Sequence, residues 1–106
     1  MNSRVQDIVE KLRSQLEALY GDRLVKMVLF GSRARGDAEM GSDIDVLVVL
    51  KGPVSVGDEI AQTGGIVSEL SLEFNETICC VFMHEDRFLT RNGPFLRNVR
   101  REGIPI

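Results

Sequence analysis

Two aspartates one residue apart, Asp43 and Asp45, open an apolar run that reads Asp-Ile-Asp-Val-Leu-Val-Val-Leu. Alternate side chains of a β-strand leave the same face, so both carboxylates would point one way with Cα atoms about 6–7 Å apart. Carboxylates at that spacing can share a hard divalent cation. Magnesium takes oxygen ligands and is commonly held by one or two carboxylates together with substrate phosphates. Upstream, Gly31-Ser32 closes another apolar run, Leu-Val-Lys-Met-Val-Leu-Phe, and opens a short segment carrying Arg33 and Arg35. A glycine there lets a phosphate approach the backbone, free amides at the start of a helix favour an anion, and the serine hydroxyl can donate as well. One side of a strand-turn-strand unit would then cradle phosphates and the next strand would clamp the metal. The chemistry this suits is the binding of a nucleoside triphosphate with its Mg2+ and attack on it by an oriented oxygen.

Taken singly, each feature has a plainer explanation. Gly-Ser pairs at strand ends are often only turns. Aspartates at the start of a strand are often solvated, and Asp43 could simply cap the loop. Arg33 and Arg35 could be surface charges or packing stems. Together, between two apolar strands, they are harder to dismiss. Two negative charges beside a buried run need compensation, and a cation is the simplest form of it.

The flanking pattern predicts the elements that would hold these residues. Val5, Ile8, Val9, Leu12, Leu16 and Leu19 recur at helical spacing, with Ser3 suited to the N-cap and Gly21 to the stop. Strands are expected at residues 24–30, 43–50 and 77–83, the second central and covered on both faces because its latter half is continuously apolar. Residues 32–36 suit a helical turn and 37–41 a loop. Between the second and third strands, residues 56–74 suit a helix packing through Ile60, Ile66, Val67, Leu70 and Leu72, with a kink at Gly64-Gly65. A turn at Asn92-Gly93-Pro94 precedes a short helix over 95–101, after which Ile104-Pro105-Ile106 docks back. This order predicts an α/β (α+β) fold, a small mixed β-sheet with helices packed against it.

Composition bounds the function. A chain of 106 residues with 43% hydrophobic content suits one domain, 1–106, with a core that needs no metal or disulfide staple. Lys and Arg number 13 against 16 for Asp and Glu, a net charge of −3, which disfavours bulk nucleic-acid binding. No stretch is apolar for long enough to span a membrane, and the N-terminus has no signal-peptide core, so the expected location is cytoplasmic. Cys79 and Cys80 are adjacent, would face opposite ways on a strand, and are expected to be two buried thiols rather than a disulfide. His84, beside Glu85 and Asp86, is expected to start a helix or sit at the surface rather than act as a base. Arg91, Arg97, Arg100 and Arg101 are expected to form a wet helical face, with a partner contact as the lesser alternative.

Gly31-Ser32, ten residues, then Asp43-x-Asp45 resembles the signature of the DNA polymerase beta nucleotidyltransferase superfamily. With Arg33-Ala34-Arg35-Gly36 and Ser42-Asp43-Ile44-Asp45 included, the string is similar to the minimal nucleotidyltransferase (MNT) domains of bacteria and archaea. The resemblance implies a nucleotidyltransferase-like core that transfers a nucleoside monophosphate, AMP from ATP in the first instance, to a hydroxyl. It implies Gly31 and Ser32 on the triphosphate with Arg33 and Arg35 beside them, and Asp43 and Asp45 on Mg2+. Such enzymes commonly have a third carboxylate on a nearby strand. The third strand here has no acid, and Glu76, just before it, is the near candidate, with Glu73 behind it. MNT domains often resemble the antitoxin half of a pair with a helical HEPN toxin, which implies such a protein partner. Without a third acid the alternative is a binding module that holds a nucleotide or neutralises a partner with no turnover.

Overall fold

The computed structural model describes residues 2–36 and 41–106, so all of the loop expected over 37–41 except Gly41 lies outside the described residues. The chain begins with helix α1, Ser3–Tyr20, which buries Val5, Ile8, Val9, Leu12 and Leu16. Its N-cap is Asn2 rather than Ser3: the Val5 amide donates to Asn2 Oδ1 at 2.9 Å. Leu19 is exposed and Tyr20 is buried in its place. The Tyr20 hydroxyl donates to Glu59 Oε1 at 3.1 Å, a buried acid that also accepts from the Ser55 amide. Gly21, at φ +55°, ends the helix as expected.

Strand β1, Leu24–Phe30, is followed by the four-residue helix α2, Ser32–Arg35, and strand β2, Ile44–Leu50. Helix α3, Val56–Phe74, crosses to strand β3, Ile78–His84. Helices α4, Glu85–Thr90, and α5, Pro94–Glu102, precede the short strand β4, Ile104–Pro105. The sheet order is β3-β2-β1-β4. β1 runs antiparallel to β2 and β4, whereas β2 and β3 are parallel, as a strand–helix–strand connection permits. The sheet is therefore mixed, and β2 lies inside it with every residue but Asp45 buried.

Side-chain alternation splits the core across the sheet. Leu29, Ile44, Val46, Val48, Leu50 and Phe82 face the α1 stripe and Leu70 of α3. Val28, Leu47, Val49 and Met83 face Leu96 and Val99 of α5. This double cover explains the unbroken apolar half of β2. α3 departs from expectation in its packing: Ile66 and Val67 are half-buried against the core, but Ile60 and Leu72 are 55% and 83% exposed. α3 runs as one continuous helix through Gly64-Gly65, both of which are exposed.

His84 does begin a helix. Its Nδ1 accepts from the Asp86 amide at 3.1 Å and caps α4. Arg100 donates to the Phe88 and Arg91 carbonyls and so straps α4 to α5. The C-terminus docks back as the sequence suggests, with the Ile106 amide donating to the Met27 carbonyl at 3.0 Å. No helix among the described residues is long and apolar enough to cross a membrane.

Candidate active site

Strand register builds the site. Phe30 of β1 lies opposite Asp45 of β2, and Asp45 lies beside Cys79 of β3, so the three form a row across the sheet. Asp45 shares its face with Leu47 and Val49, the side on which α5 packs. Asp43, just before β2, is exposed at the same end. Ligand atoms of Asp43, Asp45 and Cys79 all lie within 4.8 Å of one another. The Cys79 thiol donates to Asp43 Oδ2 at 3.5 Å.

Gly31 closes the other wall. A Cβ placed there would stand 2.5 Å from Asp45 Oδ2, and the residue adopts φ +77°, ψ −162°. Only glycine reaches that backbone region readily and leaves the carboxylate its space. Gly31 thereby turns the chain from β1 into α2 directly above Asp45, and its carbonyl accepts from the Ala34 and Arg35 amides.

Electrostatically the cluster is unbalanced. Among the described residues neither aspartate forms an ion pair. Burial holds the Asp45 carboxyl above the ordinary carboxylate value, and the neighbouring Asp43 charge pushes it the same way. The Cys79 thiol is likewise pushed up, first by burial, then by its hydrogen bond to Asp43 and the charges of both aspartates. Each shift means that the charged form is costly here, burial being the larger cause and the neighbouring acids the smaller. Two carboxylates with no positive partner among the described residues, converging beneath a glycine bend, suit a hard divalent ion.

The remaining sequence candidates are placed differently. Ser32 is half-buried at the first position of α2, beside the bend. Arg33 turns away to Glu76, with Nη2 2.7 Å from Glu76 Oε2, and its Nε is buried without a hydrogen-bond partner. Glu76 also pairs with Arg4 Nε at 3.4 Å. The structure thus places Glu76 in a bridge linking α1, α2 and the start of β3, outside the Asp43–Asp45–Cys79 cluster. Arg35 pairs with Glu102 of α5 at 3.2 Å.

Cys79 was not among the sequence candidates. The two cysteines lie on opposite faces, as alternation along a strand requires, but both are half-buried rather than buried as expected. Cys80 packs against the larger core cluster, where burial and the neighbouring Cys79 push its thiol up to about 12. Cys79 reaches the acids. The available signal was the pairing of β2 with β3, which sets Cys79 level with Asp45. A separate cleft of about 860 Å³ opens between α4 and α5, lined by His84, Arg87, Arg91 and Phe95 among others. It does not include the aspartates, but Phe95 makes an edge-to-face contact with Phe30, ring centroids 5.3 Å apart, at the end of the site row.

A fold of this kind, with paired aspartates at the start of β2 under a Gly-Ser bend, defines a nucleotidyltransferase core, and comparison with known proteins agrees. The model of the nucleotidyltransferase domain family matches residues 9–102. The chain belongs to that family. Two proteins of Methanocaldococcus jannaschii, each named "Putative protein adenylyltransferase", are its relatives. One is 34% identical over 96 residues, covering 90% of each chain. The other is 38% identical over 100 residues, covering 94% of this chain and 96% of that one. Among solved structures, a protein of Sulfolobus solfataricus described as "a putative nucleotidyltransferase" superposes with a TM-score of 0.54 at 22% identity, covering 99% of this chain and 86% of that one. A toxin-antitoxin structure with AMP-PNP gives 0.62 at 18% identity, covering 95% and 70%. A mutant of the MntA-HpeT toxin-antitoxin gives 0.63 at 16% identity, covering 99% and 72%. At these identities the structural likenesses concern the fold.

Proposed function

We propose that this chain is a magnesium-dependent adenylyltransferase that moves AMP from ATP to a hydroxyl on a partner protein, with a helical HEPN-type toxin as the partner class. One observation carries the reading: Asp43 and Asp45 converge, without ion-pair partners among the described residues, beside a glycine bend that leaves room at Asp45 Oδ2. Asp43 and Asp45 would hold the ion. When bound, Mg2+ would neutralise charge on the triphosphate and help orient it. Gly31 admits the phosphates close to the backbone, and Ser32 offers them its hydroxyl. Arg33 and Arg35, held by Glu76 and Glu102, brace the bend and lend positive charge from behind it. The acceptor oxygen attacks the α-phosphorus, the bond from that phosphorus to the oxygen bridging it to the β-phosphorus breaks, pyrophosphate leaves with that oxygen, and the hydroxyl proton passes to solvent water. Positioning and electrostatic stabilisation account for most of the rate.

The names of the relatives support the choice of AMP and of a protein acceptor, and the toxin-antitoxin neighbours support the partner class. The test is incubation of the chain with ATP labelled in its α-phosphate, Mg2+ and a HEPN-type toxin. Label should appear on the toxin with wild type and not with the double variant Asp43→Ala/Asp45→Ala. Equal labelling by both would sink the assignment. The lack of a third carboxylate in the cluster, among the described residues, favours a second reading as a nucleotide-binding module. Calorimetric binding of ATP with Mg2+, and no pyrophosphate release in the presence of the toxin, would select it.

A further inference from the structure

The third member of the cluster is a sulfur where the family resemblance implied a carboxylate. We propose that Cys79 is the third protein ligand of the divalent ion held by Asp43 and Asp45, and that this oxygen–oxygen–sulfur set prefers manganese, cobalt, zinc or cadmium to magnesium. The proposal rests on the reading of the two aspartates as cation ligands and refines which cation they serve.

The placement comes from the sheet. β3 lies parallel to β2 with Cys79 level with Asp45, so Cys79 is the β3 residue brought beside the acids. Its Sγ is 3.5 Å from Asp43 Oδ2, and all three ligand atoms fall within 4.8 Å. Donors about 2.0–2.3 Å from a common ion stand roughly 3–4 Å apart, so the cluster is already near the spacing that coordination needs. No acid competes for this corner from the start of β3, because Glu76 is bound by Arg33 and Arg4. Cys80, the only other cysteine, faces the opposite side of the sheet.

The chemistry follows from donor type. Magnesium prefers an all-oxygen shell and keeps waters, whereas thiolate sulfur draws softer and borderline ions. Coordination displaces the thiol proton to solvent, so the sulfur brings the single negative charge a third carboxylate would bring. Nothing is oxidised or reduced.

Cobalt(II) is the direct probe, because sulfur bound to it gives a thiolate-to-cobalt charge-transfer absorption. The full chain, kept reduced, is titrated with Co2+, and Mn2+ and Mg2+ binding are measured by calorimetry. Wild type and Cys80→Ala should develop the band and saturate with a single equivalent. Cys79→Ser and Cys79→Asp should not. Cys79→Asp, which supplies a carboxylate, should still bind Mn2+, and its preference for Mn2+ over Mg2+ should fall below that of wild type. Retained Mn2+ binding also shows that this variant is folded. Cobalt binding without the band, or a band that survives Cys79→Ser, overturns the sulfur assignment and leaves the aspartate reading standing. Failure of wild type to bind Co2+, Mn2+ or Mg2+ overturns both.

Discussion

Gly31 and Asp45 are a matched pair. The glycine holds a backbone conformation that costs other residues about 1–3 kcal/mol, and its missing Cβ is the space Asp45 Oδ2 occupies. Gly31→Ala should therefore lower stability by about 1–3 kcal/mol in chemical denaturation and also weaken Mn2+ binding, because the carboxylate must move. A variant as stable as wild type, with full Mn2+ affinity, would show that the bend does not shape the site. Asp45 itself carries a charge that the metal-free fold disfavours. Its folded-state carboxyl titrates above the ordinary 3.8, so the native state binds that proton more readily than the unfolded chain. Its contribution to stability is present below 3.8 and is lost as pH rises through the raised value. Asp45→Asn should remove that loss, giving the metal-free protein a higher melting temperature than wild type at neutral pH while abolishing stabilisation by Mn2+. A lower melting temperature at neutral pH, with Mn2+ stabilisation intact, would contradict both halves.

At the scale of elements, Glu76 works as a strut. It ties Arg4 of α1 and Arg33 of α2 to the segment leading into β3, and both the Arg33 and Glu76 side chains are nearly buried, at 11% and 13% exposure. Glu76→Gln would leave two arginines short of an acid and should cost about 2 kcal/mol of stability, with Mn2+ affinity unchanged. Lost Mn2+ affinity at unchanged stability would return Glu76 to the cation site. These elements differed in how far sequence exposed them. β1, β2, β3 and α3 were legible because apolar runs and Gly, Pro or Asn punctuation are local signals, and the observed bounds fall within a residue of expectation. Asp43, Asp45 and the bend were legible because alternation puts both acids on one face. The role of Cys79 was not, since it depends on the register between two strands separated by all of α3, and a one-residue slip would have sent Cys80 to the acids instead. The α1 cap was misplaced by one residue because Asn2 and Ser3 are both good caps and only geometry chooses. Glu59 went unnoticed because a buried acid in α3 makes sense only once Tyr20 is seen to reach it.

At the scale of the whole molecule, β2 is the shared wall of two cores. The larger cluster joins α1 and α3 to one face, and the smaller joins α5 to the face that carries Asp45. Since β2 is buried on both sides, neither cluster keeps its hydrophobic contacts if the sheet comes apart. The radius of gyration, 13.2 Å, matches the roughly 13 Å of a compact domain of about 100 residues. Residues 1–106 should therefore unfold as one cooperative domain. Tyr20 is the only tyrosine and the chain has no tryptophan, so tyrosine fluorescence reports the α1 face alone. Leu96→Ala, on the opposite face, should lower stability by about 2–5 kcal/mol, as buried leucine truncations do. The midpoint read by Tyr20 should fall together with the midpoint read by far-ultraviolet circular dichroism. If the dichroism transition splits or shifts while the Tyr20 midpoint stays put, the α5 side folds separately, and the site it covers could open without the rest of the fold.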